Sequence, residues 1–227
     1  MPEIFVVRHG QASFGSDNYD QLSELGWRQA RWLGEHWAED GHGFDHVVCG
    51  DLQRHRETAR GICEGLGLDA ARVEELPQLN EFDFQSVVRA YVENNVEKNP
   101  QLAPSRNTDK KTYYRLLKQA MHAWSAGEIA AAETWPQFEQ RVEEALGVIG
   151  TGGRSGKTLV VSSGGAIAMM VRQVLGAPVH SVIQLNMQIK NTAVSHFFAG
   201  ASGYSLHSFN HVPHLDRRER REFITYS

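Results

Sequence analysis

Ile4-Phe5-Val6-Val7 is an uninterrupted apolar run, the pattern of a strand buried on both faces, and it stops at Arg8-His9-Gly10. A polar loop covers 11–21. Ser23 then has the character of an N-cap and opens a helix whose Ala30, Leu33 and Trp37 share one stripe. Gly41 and Gly43 close it. Val47-Val48 reads as a second short strand leading into Cys49-Gly50-Asp51. The spacing of Thr58, Ile62 and Leu66 predicts a helix over about 52–66, with Gly67 as its C-terminal cap.

Residues 82–135 break this alternation. They are polar, rich in Asn, Lys and Gln, and interrupted at Asn99-Pro100 and Pro104. They read as a helical insertion lying over the core of one domain spanning 1–227. Beyond them, 138–149 is amphipathic, 150–156 is a glycine-rich turn, and Thr158-Leu159-Val160-Val161 is a third buried strand ending in Ser162-Ser163-Gly164-Gly165. A helix over about 166–175 is stopped by Gly176 and Pro178. Residues 192–199 and 204–209 pattern as two strands joined by a short turn. Strands alternating with helices define an α/β protein. The expected form is a three-layer α/β/α sandwich with a mostly parallel central sheet. Ligands in such sheets gather beyond the carboxyl ends of the strands, and the turns at 8–11 and 162–165 both fall there.

The formal charge is -4, so no global basic field draws nucleic acid or an anionic membrane. The dense run Arg217-Arg218-Glu219-Arg220-Arg221-Glu222 mixes both signs and reads as a solvated tail. Cys49 and Cys63 form neither a CxxC pair nor a metal spacing, and both sit in apolar stretches as buried thiols do. No run approaches the ~20 apolar residues a membrane span needs. The N-terminus lacks the basic and apolar segments of a secretory signal. A cytoplasmic location is the expectation.

Chemistry concentrates at Arg8-His9-Gly10. An imidazole at a strand end can act as nucleophile, base or ligand. The neighbouring guanidinium is permanently charged and forks onto phosphate oxygens. The glycine is expected to let an anion approach the backbone.

These residues resemble the RHG signature of the histidine phosphatases, which include the cofactor-dependent phosphoglycerate mutases. Leu22-Ser23 with Gly26, Gln29 and Ala30 is similar to that family's L-[ST]-x-x-G-x-x-Q-A element. Asp51-Leu52-Gln53-Arg54 through Thr58-Ala59 resembles its S-D-L-x-R-x-x-x-T-A element, with Gly50 where Ser is usual. Leu79-Asn80-Glu81 with Phe84 resembles L-x-E-x-x-F, and Val160 to Gly165 resembles V-V-S-H-G-G with Ser163 at the histidine position. The elements occur in family order over residues 4–175.

The resemblance implies a hydrolase that needs no metal or cofactor and acts on a small phosphorylated molecule. His9 would become a phosphohistidine. Arg8 and Arg54 would clamp the phosphoryl oxygens, and Glu81 would protonate the leaving group and then activate water. Gly10, Ser163 and the Gly164 amide would help bind phosphate, and Gln11, Ser13 and Phe14 would line the leaving-group side. Nearby arginines should lower the Glu81 pKa while burial raises it, and the sequence leaves that balance open.

Ser163 is the departure. A hydroxyl keeps one hydrogen bond but loses the charge of the family's second histidine. His211, His214 and Lys190 are candidates to replace that charge. On this reading Ser163→His keeps or raises activity, and a weakly catalytic phosphate-binding module is the alternative. A serine hydrolase is disfavoured, because Val160 and Val161 stand where G-x-S-x-G needs glycine. Mutase activity is disfavoured because the 11–21 loop and the insertion lack the mutases' longer loop and E-R-R cluster. The sequence leaves a homodimer open.

Overall fold

The computed structural model describes residues 1–13, 20–70, 73–97, 110–151 and 156–226. Six strands form one sheet in the order β3-β2-β4-β1-β5-β6. Here β1 is Glu3–Arg8, β2 His46–Cys49, β3 Val73–Glu75, β4 Lys157–Ser162, β5 Val194–Gly200 and β6 Gly203–His211. The first four run parallel, while β5 pairs antiparallel with β1 and with β6. The expectation of a mostly parallel sheet holds.

The apolar runs behave as strands buried on two faces. Ile4, Val6, Val48 and Val160 point into one core, and Phe5, Val7, Cys49, Leu159 and Val161 point into the other. The second core is covered by α1 (Glu24–Glu39) and α2 (Gln53–Leu66), through Ala30, Leu33, Trp37, Ala59 and Ile62. Ser23 caps α1 by accepting from the Gly26 N–H at 3.0 Å. Gly67 ends α2 in the left-handed region at φ 70.

The first core is covered by α5 (Trp135–Thr151) and α6 (Gly164–Leu175). The expected insertion contains α3 (Phe84–Asn95) and α4 (Lys110–Ser125). Leu117, Met121 and Trp124 of α4 belong to the same apolar cluster as Phe138 and Val160, so this helix roofs the sheet's own core. Residues 98–109, with the Asn99-Pro100 break and Pro104, lie outside the described residues.

Two elements escaped the sequence pattern. The short edge strand β3 is one. The other is α7 (Val179–Asn186), which starts directly after Pro178. Gly176, at φ 61, does stop α6, but a proline just before a helix is compatible with starting a new one. The segment read as a solvated tail is anchored. Arg217 pairs with Glu39 at 2.9 Å, and the Arg220 guanidinium lies 4.6 Å from the Trp32 ring centroid. No helix among the described residues is long and apolar enough to cross a membrane.

Candidate active site

Strands β1 and β4 pair in register from Glu3 with Lys157 to Arg8 with Ser162. Their carboxyl ends therefore stop side by side, and the His9 N–H donates to the Ser162 carbonyl at 2.9 Å. His9 is 4% exposed. Its Nδ1 lies 2.7 Å from the Gly10 carbonyl oxygen. A carbonyl only accepts, so Nδ1 carries the proton and Nε2 keeps its lone pair. Burial first, then Arg54, Arg8 and His55, hold the His9 pKa well below the usual histidine range. The ring is a neutral imidazole beside fixed cations.

The glycine of this turn answers to packing. A Cβ on Gly10 would lie 2.5 Å from the Gly26 carbonyl oxygen, and one on Gly26 would lie 2.2 Å from that of Gln11. The two backbones interlock, and the Gly10 N–H already donates to Thr58 Oγ1 at 3.0 Å. Gly10 is therefore small for packing as well as for the role in phosphate binding that the resemblance implies. Thr58 in turn donates to the Arg54 carbonyl at 2.6 Å. Gln29, fully buried, accepts from the Gln11 N–H at 2.9 Å and donates to the Phe223 carbonyl at 2.7 Å and Thr225 Oγ1 at 3.0 Å.

Arg54, read alone as a solvated helix residue, is 6% exposed. Its Nη1 pairs with Asp20 at 2.5 Å, and Asp20 also accepts from the Gln53 N–H at the start of α2, at 2.9 Å. Arg8 donates through Nη1 to the carbonyls of Ile189 and Tyr226. Both guanidinium groups line one cavity of about 720 Å³ together with His9 and Glu81.

Glu81 accepts from the Gly165 N–H at 3.0 Å and from the Phe82 N–H at 3.2 Å. Burial raises its pKa and outweighs those bonds and the pull of Arg54 and Arg8. The balance the sequence left open therefore falls on the side of a raised pKa, the direction that suits a proton donor. A Cβ on Gly165 would lie 2.2 Å from Glu81 Oε1 and 2.6 Å from the Phe82 ring. Gly165→Ala is therefore expected to lower kcat roughly 10–100-fold by displacing the carboxyl while leaving the melting temperature within a few degrees. Paired kinetics and thermal melts check it; unchanged kcat would contradict this placement.

The other anticipated residues divide. Gln11 lines the cavity, although its Oε1 accepts from Ser23 Oγ at 2.8 Å. Ser13 sits at the base of the loop, its N–H donating to the Gln21 carbonyl at 2.9 Å. Phe14 lies outside the described residues. A Cβ on Gly164 would meet Asn186 Oδ1 at 2.5 Å, so α7 packs directly against this turn. Ser163 is fully buried.

The three proposed replacements for the missing histidine do not take that place. His214 is buried, bonds through Nε2 to Thr192 Oγ1 at 2.8 Å, and is held neutral by burial with its pKa lowered to about 3. His211 is exposed at the end of β6, and Lys190 Nζ reaches the Asn210 carbonyl at 3.5 Å. The imidazole that stands there is His55, whose Nε2 lies 2.6 Å from Ser163 Oγ. A larger side chain at position 163 would meet this ring, a contact the expectation for Ser163→His did not include.

Asp20, His55, Asn186 and Tyr226 are thus site residues or neighbours that sequence reasoning missed. A buried neutral imidazole, two guanidinium groups and a desolvated carboxyl around one cavity have the composition of a phosphoryl-transfer site.

Comparison agrees with that class. The model of the histidine phosphatase superfamily (branch 1) matches residues 4–212, and the chain belongs to this family. A probable phosphoglycerate mutase GpmB of Yersinia enterocolitica is 25% identical over 227 residues, covering 95% of this chain and 96% of that one. Among solved structures, the alpha-ribazole phosphatase from Shigella flexneri is similar with a TM-score of 0.64 and 19% identity, covering 92% of this chain and 96% of its own. An Entamoeba histolytica phosphoserine phosphatase mutant gives a TM-score of 0.66 at 16% identity, covering 95% and 100%.

Proposed function

We propose that this chain is a phosphomonoester hydrolase that passes the phosphoryl group through His9 without a metal ion. His9 Nε2 attacks phosphorus as the ester P–O bond breaks, and the leaving oxygen takes the Glu81 proton. Arg8 and Arg54 hold the equatorial oxygens as charge spreads over them. Water then attacks the phosphohistidine, Glu81 recovers a proton from it, and phosphate leaves. The observation that carries this reading is the convergence on one cavity of His9, two guanidinium groups and Glu81, with burial lowering the His9 pKa and raising that of Glu81. Each shift favours the neutral form of its group, the form a nucleophilic imidazole and a proton-donating carboxyl need.

The cavity also suggests the substrate's other end. Phe84, Tyr113, Tyr114 and Tyr226 supply flat apolar walls, with Arg115 and Lys118 at the exposed side. An organic phosphate of substantial size, carrying an aromatic or otherwise planar group, fits this lining. Hydrolysis is preferred over mutase transfer because the chain lacks the mutases' loop and E-R-R cluster. Cys49 and Cys63, free and buried with thiol pKa values raised to about 12 and about 11, suit a reducing cytoplasm.

A panel of aryl phosphates, sugar phosphates and phosphopeptides, assayed for phosphate release in the presence of a chelator, tests the proposal. Vanadate, which mimics the transferring phosphoryl group, should inhibit. Release that requires an added divalent ion, or no release from any ester, would defeat it.

A further inference from the structure

His55 is a buried residue with no place in the reading above, and two departures from the family pattern meet on it. Position 163 carries a short side chain, whose hydroxyl lies 2.6 Å from His55 Nε2. Position 50 carries none, and a Cβ there would lie 2.2 Å from His55 Nδ1. Gly50 and Ser163 together make the slot into which α2 delivers this ring. Ser163 stands at the N-cap of α6 yet makes no capping bond with its side chain. A serine there ordinarily accepts from the helix's first free amides; this one is committed to His55.

The ring is set for the same job as a histidine at position 163. Its centroid is 5.8 Å from that of His9, and Ser163 follows the residue paired with Arg8 at the strand end. We infer that His55 is the second imidazole of this site, acting through Ser163: Nε2–H donates to Ser163 Oγ, and the hydroxyl proton so released is donated to a phosphoryl oxygen. This rests on the phosphatase reading above. His55 is a positioning residue, since it is fully buried and acts on the site only through its bond to Ser163.

The other side of the ring is consistent. Nδ1 and Asn80 Oδ1 both border the space a Cβ on Gly50 would fill, 2.2 Å and 2.5 Å from it, and neither has a hydrogen-bond partner among the described residues. Asn80 is fixed by donating from Nδ2 to Asp51 at 2.5 Å, which leaves Oδ1 as an acceptor facing the ring. With the cavity empty, burial and then Arg54 and Arg56 on its own helix keep His55 neutral, and His9 faces it across the strand end. A bound phosphoryl dianion offsets those cations and supplies the field in which the charged form is favoured.

The test moves the imidazole instead of only deleting it. Turnover of an aryl phosphate is measured for His55→Ala, Ser163→Ala, Ser163→His and the double variant His55→Ala with Ser163→His. Each alanine variant should lose on the order of 10²-fold in kcat, the cost of one preorganised donor, with KM changed much less. Ser163→His alone should also lose activity, because two rings cannot share the slot. The double variant should recover to within about 10-fold of the wild type, since only one donor's geometry has changed. A merely structural role for His55 predicts no such rescue.

If His55→Ala melts below the assay temperature, Ser163→Ala carries the same expectation with α2 left intact. Wild-type kcat in His55→Ala or Ser163→Ala, or a folded double variant no better than Ser163→His, overturns the inference. When those results accompany wild-type turnover that depends on His9, the phosphatase reading stands without it. Absence of wild-type turnover on every ester overturns both.

Discussion

His9→Ala abolishes phosphate release, with kcat down on the order of 10⁵-fold or more, the usual cost of deleting a covalent nucleophile. No neighbouring group can substitute. Arg8 and Arg54 are cations without lone pairs, Glu81 is engaged by the Gly165 and Phe82 amides, and His55 is fully buried against Ser163. The substitution removes one side-chain bond, to the Gly10 carbonyl, while the backbone links of this turn to Ser162, Thr58 and Gln29 remain. Folding should therefore survive, and a far-UV spectrum and thermal melt should match the wild type. Rapid quench of the wild type should trap an acid-labile, alkali-stable phosphoenzyme that is missing from the variant. Wild-type turnover in folded His9→Ala would remove the nucleophile assignment.

Glu81→Gln separates proton donation from phosphate binding. The reaction needs His9 neutral and Glu81 protonated. Since the His9 pKa is lowered well below the histidine range, its neutral form is lost only in acid. Since the Glu81 pKa is raised, its proton persists above the ordinary carboxylate range and is lost as pH rises through that elevated value. The wild-type rate should accordingly fall on the alkaline side. Glu81→Gln cannot lose such a proton, so the fall disappears and the rate drops roughly 10²–10⁴-fold. The loss should be large for alkyl phosphates and small for p-nitrophenyl phosphate, whose oxygen leaves without protonation. An alkaline limb that persists in the variant would assign it to another group.

Much of the site was legible because the chemistry needs particular residue types at strand ends and helix starts, and spacing carries that. Arg8 and His9 were legible from their place at a strand end, whereas Arg54 and Glu81 were reached through the resemblance of their segments to the family's elements. What spacing could not give was the physical duty of each position. Gly10 and Gly26 are small because their backbones interlock, and Gln29 and Thr58 are amide and hydroxyl because they fasten the nucleophile's turn to α1 and α2. The failures were at contacts between segments remote in sequence. His55 and Ser163 are separated by 108 positions, and nothing local distinguishes His55 from the charged helix residues around it. Its signal was joint: Gly50 and Ser163 are both smaller than the family pattern on either side of one ring. Similarly, α7 was hidden because Pro178 looks the same whether it ends one helix or precedes the next.

The placement of β1 has a consequence for how the molecule is made. The strand that delivers His9 lies between β4 and β5, residues 157–162 and 194–200. Arg8 also reaches the carbonyl of Tyr226, 218 positions away. Pairings at such long range close late and slowly. On the ribosome, the reactive imidazole is synthesised well before the strands that seat it, so a growing chain should be chemically silent until residues 157–226 have emerged.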